Sequence, residues 1–361
     1  MASEDLKQAA LAAASAPAAL PSDPFAVSYL QLCQVSYLPA SSIPTVIKQV
    51  PPLDPGGSWK CVWGPAQDWD DSNLVFVAAY YSGGIPVFAS AVIRGTDIDI
   101  DDPLGVVEQI WEDMDATSQG QLPWLDNGNV LVARGTLDAL SVIQNLTSGG
   151  QTADQFLASF LQNPANQKPV LIVTGHSLGG CLTTVVAPWL QFQLKQTGGY
   201  TPIVPATFAG PSAGNTAFAQ YYDSCFSYAM RYVNSLDIAP LAWGNLADMD
   251  TIYDSCGLPI PDAALAALVG MGVLFWETGA SYAQPFTNKA PMTGNCYGAA
   301  SWYDEAYYQH HTTTYMALMG GASIISEVWR PRFALGRPRV SRPSRLIARS
   351  GGIRSTLARL P

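Results

Sequence analysis

An α/β fold, a mostly parallel central sheet with helices on both faces, is what this sequence predicts, from three observations. Residues 170–174 form a short, wholly apolar run ending at Gly175, the pattern of a central parallel strand buried on both sides. Strand-like runs alternate with stretches of helical spacing along the chain. The 361 residues are 48% hydrophobic and 13% charged, enough apolar material for one large core.

Taken in order, residues 74–81 and 87–94 are β-branched and aromatic runs separated by Ser-Gly-Gly, a hairpin or a pair of neighbouring strands. Residues 97–124 follow, acidic and then apolar, with Pro103 and Pro123 near the ends. Leu137, Leu140, Ile143 and Leu146 repeat at helical spacing, and residues 153–161 do the same. After the 170–174 strand, residues 178–195 read as a helix interrupted at Pro188. Residues 202–209 and 229–233 are further strands. An apolar run at 263–276 falls short of the eighteen or so residues that span a bilayer and lies in the range of a buried or interfacial helix, read as a core element ahead of an acyl pocket. The expected organisation is an Ala-rich extension at 1–24, one catalytic domain at 25–329 and an Arg-rich disordered tail at 330–361. Within the domain lie two insertions, a candidate lid at 97–124 and the apolar insertion at 245–305.

Charge narrows the partners. The formal net charge is −10, but nine Arg and no acidic residue lie from Arg330 onward, leaving a body of nine basic and 28 acidic residues, net −19. Such a body repels phosphate, so nucleic acid is not an expected partner. Residues 8–20 imitate a signal peptide, yet Glu4 and Asp5 outnumber Lys7 where a signal is positive. A soluble protein is expected; export and oligomeric state are left open. Six scattered Cys without C-x-x-C pairs argue against zinc. No metal or organic cofactor is expected.

The pentapeptide G-x-S-x-G occurs twice, around Ser177 and around Ser212. The chemistry behind this motif is a strand that turns sharply into a helix. The serine Oγ stands exposed at the turn, and the next amide and the positive helix end face a developing oxyanion. At Ser177 an apolar strand runs into the turn and a helical pattern starts at Leu178. At Ser212 the preceding proline and the following Gly214 and Asn215 read as an ordinary turn. Ser177 is the expected nucleophile.

Only three histidines exist. His176 adjoins the nucleophile on a tight turn, with its ring expected to point away from the reactive side. The base is then His310, with His311 as the alternate, and one of the pair must be a surface or helix-capping residue. The acid should lie between serine and histidine in the chain: Asp237 follows a strand, while Asp248, Asp250 and Asp254 sit in a polar loop. Leu178 supplies one oxyanion amide, and Thr96, at the end of an earlier strand, is the candidate for the second.

Four blocks together resemble the class 3 (fungal-type) lipase family of the α/β-hydrolase superfamily. They are V-I-R-G-T at 92–96, V-T-G-H-S-L-G-G at 173–180, T-F-A-G-P-S-A-G-N at 207–215 and R-Y-V-N-S-L-D-I-A-P at 231–240. The resemblance implies that Ser212 stands in a structural turn, that Asp237 is the triad acid and that Thr96 is the first oxyanion residue. Tyr315, five residues after His310, resembles the family's spacing for the base. Ser212 replaces an Arg frequent in the family, and Trp111 stands later than its counterpart would, which implies an enlarged 97–110 segment.

The expected activity is carboxylic ester hydrolysis through an acyl-enzyme, with acylglycerols or medium-chain esters as substrates and transient contact with a lipid interface through the lid. Phospholipase, feruloyl-type esterase, acyltransferase or thioesterase chemistry on the same triad are the alternatives. A catalytically silent binding module is the remaining one.

Overall fold

The computed structural model describes residues 3–15, 24–69, 71–95, 115–285 and 289–325. Seven strands form one sheet whose spatial order is their chain order: β1 (Ser58–Gln67), β2 (Leu74–Ser82), β3 (Ile85–Ile93), β4 (Val170–His176), β5 (Ile203–Phe208), β6 (Met230–Asn234) and β7 (Lys289–Met292). The first three are antiparallel, with β2 and β3 joined through Gly83 and Gly84; from β3 onward every pairing is parallel. Parallel neighbours need long crossovers, and helices supply them. Between β3 and β4 come α3 (Arg134–Asn145) and α4 (Ala153–Gln162), between β4 and β5 α5 (Leu178–Thr197), and between β5 and β6 α6 (Thr216–Cys225). The N-terminal helices are α1 (Ser3–Ser15) and α2 (Pro24–Ser36). Between β6 and β7 runs α7 (Asp262–Thr278), and α8 (Trp302–His310) and α9 (Thr312–Leu318) close the described chain.

The apolar run at 170–174 is buried because the sheet is covered twice. Leu171 and Val173 face a core completed by Leu140, Leu157 and Leu190 of α3, α4 and α5. Val170 and Ile172 face the other core, completed by Leu30 of α2, Leu6 of α1 and Met316 of α9. A strand with period-2 side chains and a helix layer on each face has no polar position to spare. The fold is α/β, as read from the sequence.

Within the Ala-rich stretch at 1–24, α1 packs on the domain: it buries Leu6 and Ala10, and the Lys7 Nζ donates to the Gln167 carbonyl at 2.9 Å. The helix of the 245–305 insertion is not a core element, because α7 buries only Ala264 and Leu268 and leaves Trp276 83% exposed. Apolar length alone cannot distinguish a core helix from one lying on the surface. Of the candidate lid at 97–124, residues up to 114 lie outside the described residues, as does the tail. The described end of that segment, with Ala116 and Leu122 buried and residues 119–121 paired to 131–133, is part of the core. Cys256 and Cys296 form a disulfide within the insertion.

Candidate active site

Three residues meet where β3, β4 and β6 present their carboxyl ends, the edge at which open α/β sheets assemble sites. Ser177 is the single residue between β4 and α5, at φ 59° and ψ −129°. A non-glycine residue held there is strained, and strain of this kind persists only where the surroundings over-determine it. The flanking glycines show how. A Cβ on Gly175 would stand 2.2 Å from the Gly179 carbonyl oxygen, and one on Gly179 would stand 2.3 Å from that of Ile93. Those partners are backbone atoms that cannot swing aside, so the turn closes only with hydrogen at both positions. The Ser177 amide donates to the Phe208 carbonyl at 3.0 Å, tying the turn to β5. Leu178 is the first residue of α5, so its amide is among those a helix leaves without an internal acceptor.

His310, not His311, faces the serine. Its Nε2 lies 2.8 Å from the Ser177 Oγ, and its Nδ1 lies 3.0 Å from both carboxylate oxygens of Asp237. A carboxylate only accepts, so the Nδ1 of His310 carries the proton and the neutral ring offers Nε2 as an acceptor for the serine hydroxyl. That is the arrangement of a general base. Asp237 is 1% exposed; its Oδ1 also accepts from the Ala239 amide at 2.9 Å and its Oδ2 from the Tyr315 hydroxyl at 2.7 Å. Burial and the neighbouring Asp237 charge push the Tyr315 phenol well above its ordinary pKa, keeping it a donor. Asp248, Asp250 and Asp254 are exposed, away from this cluster.

His310 ends α8, a helix not read from the sequence, capped by the Ser301 hydroxyl accepting from the Asp304 amide at 3.1 Å. The fully buried Glu305 fastens it, accepting from the Tyr297 amide at 2.8 Å and the Gln309 side chain at 2.7 Å. His311 takes the other role, its Nδ1 accepting from the Thr313 amide at 3.2 Å as the N-cap of α9.

His176 does more than stay out of the way. Its Nε2 lies 2.9 Å from the His310 carbonyl oxygen, which can only accept, so Nε2 carries the proton and Nδ1 accepts from the Tyr37 hydroxyl at 2.9 Å. Burial, reinforced by the nearby His310, holds the His176 pKa well below its usual value, so the ring is a neutral strut. Neither Tyr37 nor this use of His176 was visible in the sequence, because both depend on contacts spanning more than 130 residues.

One expectation needs amendment. The Ser177 hydroxyl does not stand exposed: the residue is 1% accessible, with the Gly95 end of β3 packed so closely that a Cβ there would lie 3.2 Å from that of Ser177. Thr96, the second oxyanion candidate, lies outside the described residues. Ser212 is fully buried and its Oγ has no hydrogen-bond partner among the described residues.

Comparison with known proteins finds similarity to lipases and a phospholipase. Lipase ZK262.3 of Caenorhabditis elegans is 33% identical over 103 residues, 28% of this chain and 28% of that protein. Phospholipase A1-Igamma2, chloroplastic, of Arabidopsis thaliana is 32% identical over 77 residues, 20% of this chain and 15% of that one. The chain thus spans under a third of the length of these curated relatives. A crystal structure of M37 lipase superposes with a TM-score of 0.67 at 26% identity, covering 82% of this chain and 91% of the other. Residues 90–245 match the class 3 lipase family, a range that contains Ser177 and Asp237 and ends before His310. In that range, with its mostly parallel sheet and its strand–Ser177–helix turn, the chain is similar to the class 3 lipases, and its fold is that of the α/β-hydrolases.

Proposed function

We infer that this protein hydrolyses carboxylic esters, with Ser177 as nucleophile, His310 as base and Asp237 as the acid that orients it. The observation carrying this reading is the unbroken hydrogen-bonded series from Ser177 Oγ through the His310 ring to Asp237, set on a positive-φ turn at a helix N-terminus.

The chemistry follows from that series. The Ser177 proton passes to His310 Nε2 as Oγ bonds to the ester carbonyl carbon, and the imidazolium that forms is stabilised by Asp237. Negative charge develops on the carbonyl oxygen, and the Leu178 amide and the α5 dipole offer it stabilisation; Thr96 is our candidate for the second donor. His310 then protonates the departing alcohol. Water, deprotonated by the same ring, releases the acid from the acyl-enzyme.

Acylglycerols or medium-chain esters are the substrates we propose. Phospholipid, feruloyl ester and an added alcohol acceptor are the competitors to include in a substrate panel. Labelling by a fluorophosphonate probe tests the assignment of the nucleophile. Label is expected on the wild type and on Ser212→Ala and to vanish in Ser177→Ala; label that survives Ser177→Ala overturns it.

A further inference from the structure

Between Asp262 and Glu277, α7 carries no charged side chain, and the indole of Trp276 is its only conventional side-chain hydrogen-bond donor. A helix apolar all round belongs inside a core or in lipid. One side of α7 satisfies that rule. Ala264 and Leu268 pack with Ile238 and Tyr253, and the Phe275 ring lies 6.2 Å from that of Trp243 and 5.2 Å from that of Tyr282. The other side does not. Leu265 is 37% exposed, Val269 59%, Val273 48% and Trp276 83%. At roughly 100° per residue these four side chains fall within an arc of about 80°, forming one stripe along the helix. They are four of the nine large hydrophobic residues exposed among the described residues, so the apolar surface is concentrated here.

We propose that this stripe seats the protein on an uncharged lipid surface, with Leu265, Val269, Val273 and Trp276 inserted between the headgroups. Three observations select this occupant. The stripe is narrow: its four side chains expose on the order of 500 Å², well short of the ~800 Å² per partner that a stable protein interface buries. A lipid surface imposes no such minimum, and tryptophan is favoured at its boundary. The charges bounding the stripe, Asp262 and Glu277, are both acidic on a body of net charge −19, which selects neutral over anionic headgroups. The buried side of α7 packs on Ile238, the residue after Asp237, so a lipid surface held by this helix lies beside an element of the site.

This deepens the ester-hydrolase reading by naming the surface on which it works, yet adsorption can be measured without turnover. The full-length chain carrying Ser177→Ala is sedimented with phosphatidylcholine vesicles at low and high salt, with and without the triple change Val269→Ser, Val273→Ser and Trp276→Ser. The parent is expected to bind at both salt concentrations and the triple variant to partition roughly tenfold or more weakly, since each removed side chain gives up apolar contact. In the Ser177 background the triple variant should hydrolyse a water-soluble short-chain ester at the parent rate. Equal partitioning of parent and variant overturns the proposal. So does parent binding that disappears at high salt, which would assign it to the Arg-rich tail, or a parent dimer that the triple change converts to monomer. Adsorption without any esterase activity would uphold the docking surface and defeat the catalytic reading; the opposite pattern would do the reverse.

Discussion

Ser177 and Ser212 share the pentapeptide G-x-S-x-G, follow adjacent parallel strands and differ in everything that chemistry requires. At Ser177 the helix begins on the next residue, the backbone is held at φ 59° and an imidazole nitrogen stands 2.8 Å from the hydroxyl. At Ser212 the helix waits until Thr216, capped by Asn215, and the hydroxyl meets no partner among the described residues. The glycine before each serine tells the same story. Gly175 makes room for the nucleophile's own turn, whereas a Cβ on Gly210 would stand 2.9 Å from the carbonyl carbon of Gly180. The second motif therefore acts as backing for the first. A motif specifies a backbone shape; whether the shape is reactive depends on what the rest of the chain brings to it.

The widest separation between the two serines should appear in turnover. Ser177→Ala is expected to lower kcat/KM on a p-nitrophenyl ester by ~10⁴-fold or more, the scale at which nucleophile removal acts in serine hydrolases. Ser212→Ala should stay within about threefold and leave the protein as stable or slightly more so, because it deletes a buried hydroxyl with no partner. A Ser212 variant as damaged as the Ser177 variant would erase the distinction. One step down, Gly179→Ala should cost about a hundredfold in kcat/KM: the added Cβ would lie 2.3 Å from the Ile93 carbonyl oxygen, and a displacement near 1 Å at a reacting group has that effect. Near-normal kinetics for that variant would mean the turn tolerates more room than its contacts allow.

Local signals made most of the frame legible. The 170–174 run, the Gly-Gly hairpin and the helical spacings of α3, α4 and α5 each declare themselves within a dozen or so residues, and the sheet's parallel half follows from their alternation. Asp237 was legible because it follows a strand within a block that resembles a family. What stayed hidden has a common cause. His310 was preferred to His311 only on its spacing to Tyr315; the helix α8 that carries it stayed hidden, because its Ser301 cap and buried Glu305 leave no strong apolar period to read. Tyr37 and His176 act across 139 residues. Which side of α7 is buried and which forms the exposed stripe stayed hidden, because composition does not say which side of a helix has a neighbour.

Tyr315→Phe sharpens the comparison on the side of the reactive serine alone. It removes the hydroxyl that donates to Asp237 Oδ2 at 2.7 Å and accepts from the Asn234 amide at 3.1 Å, while keeping the ring that fills the core. Hydrogen bonds to charged groups contribute roughly 1.5–3 kcal/mol, so kcat should fall about tenfold to a hundredfold. KM should hardly change, because the phenol acts through Asp237 and not on the ester. A KM effect larger than the kcat effect would relocate Tyr315 to the binding surface.

The smallest effect concerns the titration of His311. Burial, with the nearby His310 adding to it, lowers the His311 pKa from 6.5 to about 4, and burial likewise depresses that of His176. A histidine whose folded pKa is depressed binds its proton more tightly in the unfolded chain. Its contribution to stability is therefore complete above pH 6.5 and is lost as pH falls toward the folded value. Each such group adds a slope of up to about 1.4 kcal/mol per pH unit across that window. His311→Asn keeps an N-cap acceptor for α9 and removes one titration. Urea unfolding followed between pH 6.5 and 4.5 should then show the wild type losing stability more steeply than His311→Asn, with esterase activity at pH 8 little changed. Parallel stability curves would mean that His311 is solvated enough to titrate as it does in the unfolded chain, and a loss of activity at pH 8 would return it to the list of candidate bases.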